Sequence, residues 1–367
     1  MDRHELAAWL RLLETPLVGR ESARKLLAAF GSPQAAIAAS TAARREVVGA
    51  ARASALASAP DDIETLVDAT LSWLQHAESA EPRAVIVLGD PRYPSGLLDT
   101  ADPPLLLYAQ GRFELLAGDS VAVVGSRNPT PQGADNALAF ASHLSRAGLT
   151  VVSGLALGID AAAHNGGLDG KASTIAVVGT GLDRVYPRRN RDLAHRIADK
   201  GLLISEYSIG TPPLAPHFPL RNRIIAGMTR GTLVVEAALR SGSLITARLA
   251  NEAGRDVFAI PGSIHSPQAR GCHALIQQGA KLVEAARDII DELRLPISSA
   301  TATAPIEPES AADPILVALG FDPVTLDALV ARTGWPISEL NVRLLDLELA
   351  GHVARLPGQL FQRIARG

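Results

Sequence analysis

Val121-Ala-Val-Val124-Gly125, Thr150-Val-Val-Ser153-Gly154 and Thr174-Ile-Ala-Val-Val178-Gly179 decide the fold. Each is a short apolar run that stops at a glycine. A segment with helical spacing, about Gly133 to Arg146, separates the first two, and helical segments follow the second and third. Leu202-Leu-Ile-Ser205, Thr232-Leu-Val-Val235 and Asp256-Val-Phe-Ala-Ile260 continue the series. Short strands alternating with helices are βαβ units, and βαβ units make a parallel sheet. Runs that are apolar at every position predict a sheet covered on both faces.

Working outward, Ala84-Val-Ile-Val-Leu88 and Leu105-Leu-Leu-Tyr108 read as two peripheral strands ahead of the series. Residues 1–80 read as a small helical domain. Leu6, Trp9, Leu10 and Leu13 recur at helix spacing, and a second helix, Arg20 to Phe30, stops at Gly31. The α/β domain then occupies 81–296. Residues 297–312, rich in Ala, Thr, Pro and Ser, read as a linker. In 313–367 three helices (Ile315–Leu319, Thr325–Arg332, Ile337–Ala350) precede a hairpin (Val353–Leu356, Gln359–Gln362), the order of a winged helix-turn-helix.

Composition limits the function classes. The 367 residues are 47% hydrophobic and 20% charged, so a buried core is expected and wholesale disorder is not. A net charge of −3 excludes a bulk polycation but not a local basic patch. A single cysteine, Cys272, rules out an internal disulfide. With Asp2 and Glu5 where a secretory signal would be basic, a cytoplasmic location is expected. No apolar run reaches the roughly 18–20 residues of a membrane span.

In an open parallel sheet, ligands gather at the carboxyl ends of the strands. Here those ends carry Gly125-Ser126-Arg127, Ser153-Gly154 with Gly158 and Asp160, Gly179-Thr-Gly181, Ser205-Glu206, Glu236, and Pro261-Gly262-Ser263. Glycines admit a ligand close to the backbone, and helix N-termini offer free N–H groups, so the pattern reads as a phosphate-binding edge. A dinucleotide fingerprint is absent: Gly125-Ser-Arg-Asn-Pro-Thr is not G-x-G-x-x-G, and Ser153-Gly154 stands where an acid should hold a ribose. A Walker loop is absent as well, since Gly170-Lys171 is followed by Ala172.

From Arg184 to Arg230 there are nine Lys/Arg against three acids, a local balance of +6. Mixed with Tyr186, His217 and Phe218, the run supplies guanidinium groups for phosphates and flat faces for bases, which is what single strands need. Asp160 and His164 share a helix face; the ordinary roles of N-cap and packed histidine outweigh an acid–base pair. Glu206 and Glu236 are expected to pair with nearby arginines. No metal site is expected, because the histidines lack ligand spacing. Helix Ile337–Ala350 carries Glu339, Asp346 and Glu348 against Arg343 alone, a poor surface for a phosphate-lined groove and a better one for a protein contact.

These motifs resemble the DprA/Smf family of DNA-processing proteins. The matching stretches are Gly125-Ser-Arg127, Ser153 to His164, Thr174 to Pro187, Ser205-Glu-Tyr207, Phe218-Pro-Leu-Arg-Asn-Arg223, Val235-Glu-Ala237, Ser241-Gly-Ser-Leu-Ile-Thr246 and Arg255 to Gly262, in order over residues 84–290. The resemblance implies an extended Rossmann-like domain between a helical, SAM-like domain and a winged-helix-like one. It implies a homodimer that binds single-stranded DNA and helps load a RecA-type recombinase during natural transformation, with no catalytic residues and no cofactor. The expected DNA-binding residues are Gly125, Ser126, Arg127, Ser153, Gly154, Gly158, Arg188, Phe218, Arg221, Asn222, Arg223, Ser241, Gly242 and Ser243. Some family members carry a basic residue just before the Phe-Pro-x-Arg-Asn-Arg motif; here Leu214-Ala215-Pro216 is uncharged. The alternative is a nucleotide-processing enzyme on the same sheet, similar to the LOG phosphoribohydrolases. Gly231-Thr-Leu-Val-Val-Glu236 resembles a motif of that family, although the preceding Pro-Gly-Gly is missing.

Overall fold

The computed structural model describes residues 1–75, 81–295 and 313–364. The expected linker, 297–312, lies outside the described residues.

The chain begins with a helical layer: α1 (Arg3–Glu14), α2 (Arg20–Phe30), α3 (Pro33–Ala38), α4 (Thr41–Val48), α5 (Ala50–Ala55) and α6 (Ile63–Gln75). Local chemistry sets several of its ends. Asp2, Ser32 and Ser40 accept backbone N–H groups at the starts of α1, α3 and α4. Gly31, at φ +81°, closes α2 in the left-handed conformation.

Two strands follow, β1 (Arg83–Val87) and β2 (Leu106–Gly111), and then the βα series. The series runs β3 (Ser120–Val124), α7 (Pro131–Arg146), β4 (Thr150–Ser153), α8 (Ile159–Gly167), β5 (Thr174–Val177), α9 (Arg191–Lys200) and β6 (Leu202–Ser205). It continues with α10 (His217–Gly227), β7 (Gly231–Val234), α11 (Ser243–Glu252), β8 (Asp256–Ala259), α12 (Arg270–Gln277), β9 (Lys281–Leu282) and α13 (Ala286–Glu292). Among the described residues these nine strands form one sheet, in the order β1-β2-β6-β5-β4-β3-β7-β8-β9. β3 to β9 run parallel to one another; β2 is antiparallel to both β1 and β6. The architecture is the expected α/β fold, extended at one edge. From β3 the chain first winds outward through β4, β5 and β6, then returns to build β7, β8 and β9 on the other side. The switch between β3 and β7 opens a crevice at their carboxyl ends.

Alternation of side chains assigns each strand to two cores. Val121 and Val123 of β3 pack with α7 and α13, while Ala122 and Val124 pack with α10 and α11. The same alternation corrects the reading of Leu105–Tyr108 as peripheral. Every residue of β2 is buried. Tyr108 and Leu106 face the core of the helical layer, and Leu107 and Ala109 face the main core. The helical layer therefore covers one face of β1 and β2 and shares its core with the sheet. The Trp73 ring meets Tyr108 edge-on, with centroids 5.9 Å apart. The short strand β9, two residues long, was not expected from the sequence.

The C-terminal unit contains α14 (Pro314–Leu319), β10 (Val324–Thr325), α15 (Leu326–Thr333), α16 (Ile337–Leu349), β11 (Val353–Leu356) and β12 (Leu360–Arg363). Its three strands make a separate sheet, and Ile315, Leu319, Leu329, Leu340, Leu344 and Phe361 form its own core. This is the winged-helix order read from the sequence.

Candidate nucleic-acid interface

Several segments converge on the crevice at the β3/β7 switch, which has a volume of about 530 Å³. Gly125, Ser126, Arg127 and Asn128 leave β3 and form one wall. The loop after β7, with Arg240, Ser241, Gly242 and Ser243, forms another and leads into α11. Phe218, Arg221 and Asn222 come from the first turns of α10, and Asp160 from α8.

The wall after β3 is fixed by backbone bonds. The Ser126 N–H donates to the Glu236 carbonyl at 2.7 Å, and the Ser126 hydroxyl accepts the Asn128 N–H at 3.1 Å. Arg127 projects from this turn, exposed and without an ion-pair partner among the described residues. Gly158 lets α8 approach: it has φ +78°, and a Cβ there would lie 2.4 Å from the Ser126 carbonyl oxygen. On the opposite wall the hydroxyls of Ser241 and Ser243 are 2.7 Å apart at the start of α11, whose N-terminus has no side-chain cap. The Ser241 N–H donates to the Ala238 carbonyl at 2.9 Å and the Ser243 N–H to the Ser241 hydroxyl at 3.4 Å, which leaves the Gly242 N–H without an acceptor among the described residues and open to an anion.

Beneath the crevice lies a buried charged group. Arg221 is 4% exposed. It donates to the Gly154 carbonyl at 2.6 Å and to the Val177 carbonyl. A side chain at 154 would collide with the guanidinium, which accounts for Gly154. Asp160, also buried, accepts from the N–H groups of Gly154 at 3.1 Å and Ala156 at 3.3 Å, and interacts electrostatically with Arg221. Burial drives the Asp160 carboxyl above its usual range, opposed by Arg221, and drives Arg221 down to about 10. Their polar atoms are thus engaged with the turn after β4 and with each other. His164 completes the floor, accepting the Leu155 N–H at 3.2 Å and lying 2.7 Å from the Thr174 hydroxyl. Burial lowers His164 to about 3, so it is neutral and structural at physiological pH. Asp160 is thus not the N-cap of α8, a place held by Gly158. It braces the turn that precedes the helix.

Other expected site residues are also framework. The Ser153 hydroxyl is buried on the Val123 carbonyl at 2.7 Å. Arg223 forms an ion pair with Glu206, lies 3.5 Å from Asp102, and shares both acids with Arg20. Arg188, exposed in a turn before α9, does not line the crevice. Phe218 was read as part of a held loop; it lies in the first turn of α10. It is half-buried, with its ring centroid 5.3 Å from that of Tyr186, which is 48% exposed. Behind them Tyr207 stacks on His217 at 4.0 Å.

The +6 run is therefore not one surface. Arg221 is buried, Arg223 is committed to Glu206, Arg184 to Asp183 and Arg230 to Asp119. The sequence reading missed Arg240, because it lies outside that run; the signal was its place beside Ser241-Gly242-Ser243. Glu236 needs a further correction, since it pairs with no arginine among the described residues. Its carboxylate accepts the Thr130 N–H at 2.9 Å and hydroxyl at 2.6 Å, at the start of α7. Burial raises it above the usual carboxylate range. It does not line the crevice, so Gly231-Thr-Leu-Val-Val-Glu236 presents no carboxylate there.

This geometry can be set beside known proteins. Residues 84–294 match the model of the DNA recombination-mediator protein A family. The chain belongs to that family. The flanking units match the DprA-like N-terminal HHH domain over residues 3–64 and the DprA winged helix domain over 299–359. Protein Smf of Escherichia coli is 40% identical over 302 residues, covering 80% of this chain and 79% of Smf. DNA processing protein DprA of Streptococcus pneumoniae is 51% identical over 203 residues, covering 55% of this chain and 72% of that protein. A crystal structure of DprA from S. pneumoniae superposes with a TM-score of 0.67 and 39% identity, covering 80% of this chain and 98% of that one. A second structure, DNA processing protein A from Helicobacter pylori, described for its single-stranded DNA binding mode, has a TM-score of 0.53 and 30% identity, over 58% of this chain and 95% of its own. Within the mediator A family, the Gly-Ser-Arg turn and the Phe-Pro-x-Arg-Asn-Arg helix of this chain are thus neighbours across one crevice. Among the described residues, no helix is long and apolar enough to cross a membrane, and no group of three or more His, Cys, Asp or Glu could hold a metal ion.

Proposed function

We propose that this protein binds single-stranded DNA in the β3/β7 crevice and acts as a recombination mediator. One observation carries the reading. Arg127 and Arg240, both exposed and without ion-pair partners among the described residues, flank a glycine- and serine-walled crevice whose lip is the Phe218 ring. Phosphates rest on Gly125–Arg127 and on Arg240 with the Gly242 N–H; a base lies on Phe218, with Asn222 alongside. Gly154, Gly158, Ser153 and Arg221 keep these groups in place. The half-buried Phe218 ring offers a stacking face that only an unpaired base can use, so single strands are preferred. The relative from H. pylori supports the ligand, and the family supports the mediator role. Loading of a RecA-type recombinase during natural transformation, by a homodimer in the cytoplasm, is the finer part of the proposal. The protein acts by binding, with no reaction of its own.

The test is a titration with labelled single- and double-stranded oligonucleotides across a salt series. Tighter binding to single strands is expected, with a logarithmic salt slope of roughly −0.7 per phosphate contacted. Equal affinity for duplex, or a flat salt response, overturns the reading. Incubation with nucleoside monophosphates separates it from a phosphoribohydrolase, because release of the base would show an enzyme.

A further inference from the structure

The winged domain carries a helix that is apolar on two opposite sides. Leu340, Leu344 and Leu347 of α16 are buried in the domain core. Val342, Leu345 and Leu349 make a second stripe at helical spacing, centred about 170° round the helix from the first. They face solvent with exposures of 62%, 54% and 80%. A helix of a small domain needs only one apolar stripe, and the second has no partner among the described residues.

We propose that this outer face of α16 docks a protein helix whose own apolar stripe is bordered by lysine and arginine. Charge selects that occupant. Glu339 and Glu348 have no ion-pair partner among the described residues. The one cation of the helix, Arg343, is held by Asp313 at 2.7 Å and lies 3.9 Å from Asp346. The outer face is thus apolar along its centre and negative at its border. A phosphate backbone is repelled by that border and gains nothing from the leucines. A second copy of α16 would match the stripe but oppose acid to acid. A basic-bordered helix satisfies both, leucines against leucines and cations against Glu339 and Glu348.

The experiment uses the full chain and fluorescence anisotropy with three labelled probes. They are a designed amphipathic peptide with a leucine stripe bordered by lysine and arginine, the same stripe bordered by glutamate, and a DNA duplex. The basic-bordered peptide is expected to bind at least about tenfold more tightly than the acidic one. The double variant Leu345→Ser, Leu349→Ser is expected to lose at least about tenfold of that affinity with its melting temperature unchanged, since both side chains are exposed. Glu339→Lys with Glu348→Lys should invert the preference between the peptides. Equal binding of both peptides, or peptide affinity unchanged by the serine substitutions, overturns the proposal. Duplex binding that the serine variant abolishes also overturns it, and makes the face a nucleic-acid reader.

Discussion

The start of α11 and the outer side of α16 are both helical surfaces open to a ligand, and they are built in opposite ways. At α11 the helix start is reached by a loop from β7, a central strand of the sheet, and the helix packs on β7 and its neighbour β8. The residues there are small, Ser241, Gly242 and Ser243, and the nearby cations Arg240 and Arg127 are left unpaired among the described residues. At α16 the exposed residues are large and apolar, and the single arginine is taken by Asp313. The difference teaches that a fold marks an anion site less by counting arginines than by leaving them uncommitted beside small residues at a helix start. The Arg184–Arg230 run makes the same point, since many of its cations serve the fold.

The widest separation between the two regions should appear in stability. Arg221→Ala removes the partner of buried Asp160 and the brace on Gly154 and Val177; a loss of about 3–5 kcal/mol is expected in chemical denaturation. Arg343→Ala, on α16, breaks a half-exposed pair and should cost no more than about 1 kcal/mol. Similar losses would mean that Arg221 is not structural. Next in size, Arg127→Ala should weaken single-strand binding by about 1.5–3 kcal/mol with the fold intact, as expected for a hydrogen bond to a charged group. Wild-type affinity in the folded variant would move the DNA elsewhere. Phe218→Ala should lower affinity by about 1–3 kcal/mol, as for loss of a stacked base. A fall in melting temperature without a change in affinity would instead make its contact with Tyr186 the whole of its role.

Acid should distinguish the regions as well. His164, in the floor of the crevice, is held at about 3. Between pH 6.5 and 3 the unfolded chain binds this proton and the folded chain does not. Stability from His164 is therefore complete above pH 6.5 and falls by roughly 1.4 kcal/mol per pH unit below it. Asp160 works in the other direction, because its raised carboxyl takes up a proton in the folded chain before it does in the unfolded one. Melting curves from pH 7 to 5 should show the His164 component, and His164→Gln should remove it while leaving that of Asp160 in place. A wild-type slope in His164→Gln would exclude this histidine. The smallest effect belongs to deletion of residues 313–367, which should change single-strand affinity by less than about twofold, since α16 repels phosphate. A large drop in the same titration would erase the contrast altogether.

Particular residues show why some of this could be read early. The apolar runs ending at Gly125, Gly154 and Gly179 declare parallel strands because both faces of such a strand are covered, and no other context tolerates them so well. Leu106 to Ala109 gave the same signal, but a strand that divides its residues between two cores looks no different from an edge strand until the helical layer is in place. Within the crevice, the glycines and Arg127 follow from strand-end chemistry. The neighbouring Phe-Pro-x-Arg-Asn-Arg segment was harder. One helical turn sends Phe218 and Asn222 to the crevice, Arg221 beneath it and Arg223 toward Glu206, and spacing alone does not say which side the sheet occupies.

By itself, the sequence determined the alternation of strands and helices, the winged-helix order at the C-terminus, and the strand ends where a ligand would gather. These follow from side-chain periodicity and backbone conformation, which are local. The tertiary structure alone decided which arginines remain free. Arg221 and Arg240 carry the same charge and lie on either side of β7. One meets the carbonyls of Gly154 and Val177 beside a buried Asp160, and the other meets solvent at the mouth of the crevice. Whether a cation serves the fold or a ligand depends on what burial and distant segments bring to it, and that interaction is not encoded at its own position in the chain.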